Sequence, residues 1–441
     1  MKIFDTLNKV NKSIRRNALI IKNVSYINPV AKTAEPCDIL ISDGRVASFA
    51  KAGTLNDADE KVIDATGLYA CPGFFDIHVH FRDPGFTHKE DIYTGAAAAK
   101  RGGYTGVVMM ANTDPAIDNE ETLSYVQNKG LNTGIHVFTC ATVTKGLKGE
   151  ELTDMDKLKK HGAVGFTDDG IPIMDAELLK KAMIKCKELD IPISLHEEDR
   201  TMIKENGINS GFASNHYNLF GSPSEAEVSI VRRDIEIAKE TGVKLDVQHV
   251  STAGAVELIR KAHKEGYDNI YAEVTPHHFS LTETALFEYG SNAKMNPPLR
   301  TEEDRLSVIE GIKDGTICCI ATDHAPHALN EKQLPLTKAP SGIIGLETAF
   351  SLGFEKLVKE GHISIFRLIE LLAVGPRSLY NMKCPAINEG DPADIAIFSM
   401  SEKWVFDKSV SRSFNTPFAG REMTGKIKYT ICGGRIVYED V

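Results

Sequence analysis

The chain has 441 residues, which is longer than one ordinary domain requires and fits a barrel with a smaller appended module. Its formal net charge of −10 argues against a surface for nucleic acid or for an anionic membrane. No apolar run is long enough to cross a bilayer. From the charge and from the absence of such a run, we expect neither a nucleic-acid nor a membrane partner.

The cysteines and the N-terminal segment bear on cellular location. The eight cysteines show neither zinc-finger spacing nor the spacing of a secreted disulfide framework. Residues 1–17 are a polar, basic lead-in without the apolar core of a signal peptide. We therefore expect reduced cysteines and a cytoplasmic location.

Short strand-like runs separated by turns occur at both ends of the chain. At the N-terminal end they lie within residues 18–70, where Asp43-Gly44 is a hairpin signal. At the C-terminal end they lie within residues 385–441. Because each end is too short to bury a sheet face well by itself, we expect the two ends to pair into one small β-sandwich.

The middle of the chain, residues 71–384, alternates strand-like and helical patterns. Apolar runs typical of buried strands lie at residues 74–80, 105–112, 135–143, 163–169, 192–198, 244–251, 269–278 and 316–325. Amphipathic or alanine-rich stretches typical of helices separate most of these runs. Eight strands alternating with helices predict an α/β fold, namely a parallel (β/α)₈ TIM-like barrel.

Polar side chains follow nearly every predicted strand. His78 and His80 are two residues apart, so both imidazoles point to the same face of the first strand. The other groups at strand ends are Asn112, Asp168, Asp169, His196, Glu197, Glu198, Gln248, His249, His277, His278, Asp323 and His324. Satisfied core histidines would explain one or two of these positions, but not ligand-type groups at nearly every strand end.

The active site of such a barrel lies where the strands end, so we predict a metal site there. Imidazole and carboxylate ligands without cysteine suit Zn²⁺ or a similar divalent ion. The number of ligands is sufficient for two ions that share one carboxylate. We expect His277, His278 and His324 to support or pack around the site rather than to bind metal.

Seven motifs lie in order along the predicted barrel. They are at residues 76–85 (DIHVHFRDPG), 110–115 (MANTDP), 165–170 (GFTDDG), 249–254 (HVSTAG), 296–300 (NPPLR), 321–327 (ATDHAPH) and 341–348 (SGIIGLET). In these motifs the chain resembles the dihydroorotases of the amidohydrolase superfamily. The resemblance implies zinc-dependent, reversible conversion of N-carbamoyl-L-aspartate to L-dihydroorotate in pyrimidine (UMP) synthesis.

The resemblance also implies roles for single residues. His78, His80 and Asp323 match ligands of a first metal, His196 and His249 match ligands of a second, and Asp169 matches a bridging carboxylate. Asp323 matches the acid/base that exchanges a proton with a hydroxide held between the two metals. The positions that match substrate contacts are His80, Arg82, Asn112, Asn296, His327, Ser341 and Gly342.

The resemblance leaves some alternatives open. Hydantoinases and allantoinases place a carboxylated lysine at the bridge, where this chain has aspartates, and this favours dihydroorotase. Asp169 is preferred to Asp168 because of its distance along the chain from His196. Another cyclic amidase, or a non-catalytic scaffold that binds aspartate transcarbamoylase, is the alternative function. A homodimer and an association with aspartate transcarbamoylase also stay open as partners beside the small-molecule substrate.

Overall fold

The computed structural model describes residues 18–56, 61–382 and 386–440. The lead-in at residues 1–17 lies outside this part of the chain. Within the described ranges, strands β1 to β15 are, in order, Leu19–Asn28, Thr33–Ser42, Arg45–Lys51, Lys61–Asp64, Tyr69–Pro72, Phe74–Val79, Tyr104–Met109, His136–Thr139, Ile193–Leu195, Leu245–Val247, Ile270–Val274, Cys319–Ile320, Ile395–Val405, Glu422–Cys432 and Arg435–Glu439.

Helices lie between the central strands and after them. Helices α1 to α14 are, in order, Ile92–Arg101, Glu120–Gly130, Met155–Lys160, Ala176–Glu188, Phe212–His216, Ser224–Thr241, Ala253–Lys264, Pro276–Ser280, Ala285–Tyr289, Glu302–Asp314, Leu329–Lys332, Ala349–Gly353, Ile365–Ile369 and Gly375–Leu379. Short 3₁₀ turns occupy Lys145–Leu147 and Gly290–Ala293, and π-helical turns occupy Phe354–Lys359 and Glu370–Val374. The predicted α/β alternation is confirmed.

The central strands pair in parallel in two groups. Strands β6, β7 and β8 form one group, and β9, β10, β11 and β12 form the other. Isolated parallel bridges join the groups at both edges: Ala141 pairs with Phe166, Phe166 pairs with Ile193, and Val79 pairs with His324. Parallel pairing therefore continues from β6 through all the central segments and returns to β6.

The segment at residues 163–169 differs from the strand predicted there. Only Phe166 makes bridge pairs, one on each side. Just beyond it, the Asp168 carboxylate accepts hydrogen bonds from the backbone N–H groups of Val143 and Thr144, at 2.7 and 3.1 Å. A side chain thus takes the place of the backbone acceptor that a regular strand would offer, and this shortens the strand.

The helices bury one face against the central strands. In α7, Val256 and Ile259 are buried, and the hydroxyl of Thr252 caps the helix by accepting a hydrogen bond from the N–H of Ala255. Such a cap satisfies one of the free donors in the first turn. The helix is therefore specified both by its apolar stripe and by its N-terminal residue.

The two ends of the chain contribute to one eight-stranded sheet. Its order is β15-β14-β13-β5-β1-β2-β3, with β4 paired to β1. The two ends are joined by the antiparallel strand pair β13–β5, in which Ile395 is opposite Pro72, and by contacts such as the bridge between Arg45 and Pro392. The predicted hairpin at Asp43-Gly44 joins β2 to β3, and a Cβ atom on Gly434 would lie 2.7 Å from the Cα of Gly44. The two hairpin turns therefore pack closely, and Gly434 has no room for a side chain.

Other features of the described ranges bear on the expectations from sequence. The described cysteines are not joined in disulfides. No helix in these ranges combines the length and the apolar composition needed to cross a membrane. His136 Nε2 lies 3.0 Å from Asp394 Oδ2, which links the start of β8 to the segment before β13.

Candidate metal centre and substrate cleft

The histidines and aspartates predicted as ligands meet where the parallel strands end. His78 lies near the end of β6, while His80, Asp323, His196 and His249 follow β6, β12, β9 and β10. Asp169 follows the bridge residue Phe166. All six side chains are buried. Parallel strands bring their carboxyl ends to one edge, so residues far apart in sequence converge there.

The first group of ligand atoms is formed by His78, His80 and Asp323. His80 Nε2 lies 2.9 Å from Asp323 Oδ1, and His78 Nε2 lies 3.5 Å from the same oxygen. One ligand atom from each of the three residues lies within 4.8 Å of the others. This is the set that the sequence assigned to the first metal.

Asp169 lies among all four histidines. Its Oδ1 is 3.5 Å from His78 Nε2, 3.7 Å from His196 Nδ1 and 3.9 Å from His249 Nε2. Its Oδ2 is 3.4 Å from His80 Nε2. One carboxylate thus contacts ligands of both predicted metals, as a bridging group must.

Asp168 has a different environment from its neighbour. Besides its bonds to Val143 and Thr144 N–H, it accepts a hydrogen bond from the Thr144 hydroxyl. Its oxygens are therefore occupied in holding the segment after β8. This geometry favours Asp169 as the bridge.

The charges of the site are set by burial and by mutual contact. Burial disfavours an ionised Asp169, but the surrounding His78, His196 and His249 hold the pKa of this carboxyl well below its usual range. Burial likewise opposes the charge of Asp323, yet His78 and His80 lower its pKa to about 2. Both carboxylates are therefore anionic at neutral pH, which suits a site for cations.

Glu273 orients His78 and was missed by the sequence analysis. Its Oε1 lies 2.6 Å from His78 Nδ1 and accepts the backbone N–H of His249 at 3.1 Å. With Nδ1 engaged, the buried Nε2 of His78 faces Asp169 and Asp323, without a hydrogen-bond partner among the described residues. A buried imidazole nitrogen aimed at two carboxylates fits a metal ligand, and a carboxylate behind the ring is the usual support for one.

His196 also has supporting neighbours. Its Nε2 lies 3.0 Å from Glu198 Oε2 and 3.0 Å from Asn296 Nδ2, while its Nδ1 lies 2.9 Å from His249 Nε2. Of the two glutamates that follow His196 in sequence, Glu198 makes this contact. The ring is thus held from the side opposite Asp169.

Two of the remaining histidines at the strand ends, His278 and His324, have partners of their own. His278 Nε2 donates to the Pro297 carbonyl at 3.1 Å, and His324 lies 3.3 Å from Glu90. Burial lowers the pKa of His277 to about 4 and of His278 to about 3. Neutral rings at His277 and His278 agree with the supporting role expected from the sequence.

A cleft of about 390 Å³ opens over the ligand cluster. Its walls include these residues of the predicted site: His80, Arg82, Asn112, Asp169, His196, His249, Asn296, Asp323, Ser341 and Gly342. Asn206 and Lys294, which the sequence analysis did not single out, also line it. His327 instead contacts the backbone of this wall, donating from Nε2 to the Ser341 carbonyl at 2.9 Å.

The polar groups of the cleft suit a small anionic compound. Arg82 donates from Nε to the Pro326 carbonyl at 3.4 Å, and its terminal nitrogens have no ion-pair partner within the described ranges. Asn112 contacts His80 Nδ1 through Oδ1 at 3.0 Å and donates from Nδ2 to Asp169 Oδ2 at 2.9 Å. A guanidinium with free N–H groups is a typical partner for a carboxylate.

Three of the residues that line this cleft adopt left-handed backbone conformations. The φ angles of Arg82, His249 and Asp323 are 58°, 35° and 44°. Such angles are energetically unfavourable for residues other than glycine. They persist where the surrounding structure fixes the backbone. The backbone therefore directs these side chains toward the cleft.

Comparison with known proteins places the chain in a family. The family described as dihydro-orotase-like matches residues 67–255. A dihydroorotase of Clostridioides difficile is 49% identical over 422 residues, covering 95% of this chain and 99% of that protein. One from Clostridium acetobutylicum is 48% identical and covers 96% of this chain and 100% of the relative. The chain belongs to the dihydroorotase family. The resemblance in the seven motifs is thereby confirmed.

Solved structures show the same fold in more distant proteins. An L-hydantoinase (dihydropyrimidinase) from Arthrobacter aurescens matches with a TM-score of 0.84 and 24% identity over 96% of each chain. A dihydropyrimidinase from Brevibacillus agri matches with a TM-score of 0.82 and 23% identity, over 96% of this chain and 95% of the other. The identities are low, so these matches bear on the fold of this dihydroorotase family member and not on its substrate.

Proposed function

We propose that the chain interconverts L-dihydroorotate and N-carbamoyl-L-aspartate, and that it uses two divalent metal ions, which we expect to be zinc. The relatives named dihydroorotase support this reaction, which belongs to pyrimidine synthesis. The observation that carries the two-metal proposal is the position of Asp169, within 3.4 to 3.9 Å of four histidine nitrogens. One tetrahedral ion would leave part of this ligand set unused.

These contacts support the ligand assignment. His78, His80 and Asp323 would hold one ion, His196 and His249 the other, and Asp169 both. When bound, such ions polarise a carbonyl and lower the pKa of water to near neutrality. Glu273 and Glu198 keep the rings of His78 and His196 in the orientation that binding requires.

Asp323 is the residue that would move the proton. Its carboxylate lines the cleft, and contact with His78 and His80 keeps it ionised. In hydrolysis it accepts a proton from the attacking water and delivers it to the ring nitrogen that leaves. In the cyclisation direction the same carboxylate takes the proton from the carbamoyl nitrogen and returns it to the departing water.

Arg82 would hold the substrate carboxylate. Its terminal N–H groups are free within the described ranges and face a cleft of suitable size. Asn296 and the backbone of Ser341-Gly342 line the same cleft. Asn296 Oδ1 has no hydrogen-bond partner among the described residues and can accept one from the substrate. Binding at several points holds the scissile amide beside Asp323, which accelerates the reaction by orientation.

The arrangement of the chain around this site is also part of the proposal. The closed series of parallel pairings supports a (β/α)₈ barrel over residues 71–384. Residues 18–70 and 385–441 would form one appended β module, supported by the β13–β5 pair. A cytoplasmic location agrees with described cysteines that are not joined in disulfides and with a metabolic substrate.

Substrate comparison tests the proposed function. Purified, zinc-supplemented protein should hydrolyse dihydroorotate, but it should be poor on dihydrouracil and hydantoin, which lack the carboxylate. Arg82→Met should lower kcat/KM for dihydroorotate by about 30-fold to several thousandfold, the loss for one partner of a buried charge pair, roughly 2–5 kcal/mol.

A matched control and a contrary result complete this test. Arg232→Met removes an arginine whose side chain is 54% exposed on α6, and it should leave kcat/KM unchanged. Equal turnover of dihydrouracil and dihydroorotate would replace the dihydroorotase proposal with a general cyclic amidase.

A further inference from the structure

Two buried lysines contact the loop that forms one wall of the cleft. We call residues 335–342 the substrate loop, because Ala339, Pro340, Ser341 and Gly342 line the cleft. Lys294 and Lys332 are only 4% and 5% exposed. Neither lysine forms an ion pair with a carboxylate in the part of the chain that the structure describes. Lysines are rarely buried this far without an acidic partner.

Both side chains end on backbone carbonyls of the substrate loop. Lys294 Nζ donates to Leu336 O at 2.9 Å and to Ala339 O at 2.8 Å. Lys332 Nζ donates to Pro340 O at 2.9 Å and to Gly342 O at 3.1 Å. Two lysines from different elements therefore hold four carbonyls of one short loop.

The loop depends on such outside donors. It contains no helix or strand, so its carbonyls have few partners within the loop, and buried carbonyls require one. The backbone carbonyl of Lys294 also accepts the N–H of Gly342 at 2.9 Å. The lysines therefore help to set the positions of Ser341 and Gly342, together with His327 and Asn415, which donate to the carbonyls of these two residues.

Burying these amines has a cost. Burial lowers the pKa of Lys294 to about 8, and burial together with the charge of Lys294 lowers the pKa of Lys332 to about 7. An Nζ group has enough hydrogens for two carbonyls whether it is charged or neutral. The contacts therefore do not depend on the protonation state.

We propose that Lys294 and Lys332 are positioning residues, which fix the substrate loop so that its Ser341-Gly342 backbone meets the bound substrate. The identity of the bound substrate rests on the proposed function. The effect of the lysines on the loop does not depend on it. The lysines act through the loop, because both Nζ groups are engaged by its carbonyls.

Kinetics separate positioning from a merely structural role. Lys294→Met and Lys332→Met should each raise KM for dihydroorotate about tenfold to a hundredfold, with kcat within about threefold, as for the loss of hydrogen bonds from a charged group. If the lysines only stabilised the fold, the variants would lose active protein, so kcat would fall at unchanged KM, and that result would overturn the proposal. Lys264→Met, at an exposed position on α7, is the control.

Proteolysis tests the loop without any turnover. Lys338 is exposed within the loop, so trypsin cleavage at this residue reports how often the loop opens. Both methionine variants should be cleaved about tenfold faster than wild type, following the loss of about 1.4 kcal/mol of local stability. The Lys264→Met control should be cleaved like wild type. Unchanged cleavage together with unchanged KM would overturn the proposal.

The two readouts also distinguish failure of this inference from failure of the proposed function. Absence of dihydroorotate turnover in wild type would refute the function, while the cleavage rates would still decide the role of the lysines. If the methionine variants do not fold, hydrogen exchange in wild type decides instead. Slow exchange across residues 335–342 supports the inference, and exchange as fast as in an unstructured peptide overturns it.

Discussion

Substitution of Glu273 by glutamine is expected to weaken metal binding while the chain stays folded. The Glu273 carboxylate lies 2.6 Å from His78 Nδ1, and the two side chains are at most 1% exposed. Glutamine keeps the shape of this group but loses its charge. Its NH₂ group would also face the position of Oε2, where the described residues offer no hydrogen-bond partner.

The size of the effect follows from this contact. A hydrogen bond to a charged group contributes about 1.5–3 kcal/mol and a neutral one about 0.5–1.5, so the change should cost about 1–2 kcal/mol. Carboxylates that support a metal-binding histidine typically account for about 10- to 100-fold in metal affinity, which agrees with this range. We therefore expect zinc to bind Glu273→Gln about tenfold or more weakly than wild type.

The assay is competition between the metal-free protein and a chromogenic zinc chelator of known affinity. Glu257→Gln, whose side chain is 65% exposed on α7, serves as the control and should bind zinc like wild type. Thermal unfolding of the metal-free proteins checks that both variants are folded. Zinc affinity within about twofold of wild type in folded Glu273→Gln would refute the supporting role of this carboxylate.

Three further changes have defined outcomes. Asp169→Ala should lose bound metal and dihydroorotate hydrolysis together, measured by elemental analysis and assay; retention of both would contradict the bridge. Burial, with the charge of Lys294, lowers the pKa of Lys332 from 10.5 to about 7. At pH values between these two, Lys332 is protonated in the unfolded chain and neutral in the folded chain, so the unfolded chain binds one more proton. Wild type should therefore gain stability over Lys332→Met from pH 7 to 9, by at most about 1.4 kcal/mol per unit, in denaturant titrations; a constant difference would contradict this. Deletion of residues 386–440 should speed hydrogen exchange in β5, which loses β13; unchanged protection would oppose one shared module.

The ligand cluster was predictable because strand geometry alone determines much of it. His78 and His80 are two residues apart on a buried strand, so they share a face. Parallel strands end at one edge, so His196, His249 and Asp323 were expected near them. The structure brings these residues together. Predicting this required only the positions of the strand ends, and no knowledge of contacts between side chains far apart in sequence.

Other parts of the site carry no comparable signal. Glu273 lies within β11 and not at its end, and it is 195 residues from His78 in sequence. Lys294 and Lys332 bind backbone carbonyls, and any residue type at those loop positions offers a carbonyl. The segment around Phe166 has the apolar pattern of a strand. The Asp168 side chain nevertheless accepts a hydrogen bond from the Val143 N–H that the backbone of a regular strand would accept. In each case the contact partner can be identified only from the folded structure and not from the sequence pattern.

Titration of the metal-free protein with zinc tests the central proposal most directly. Bound zinc and the rate of dihydroorotate hydrolysis are measured in the same samples as zinc is added. We expect binding to saturate at about two ions per chain, with full activity reached only after the second ion, because Asp169 contacts both groups of histidines. Full activity at one ion per chain, or two bound ions without hydrolysis of dihydroorotate, would contradict the account.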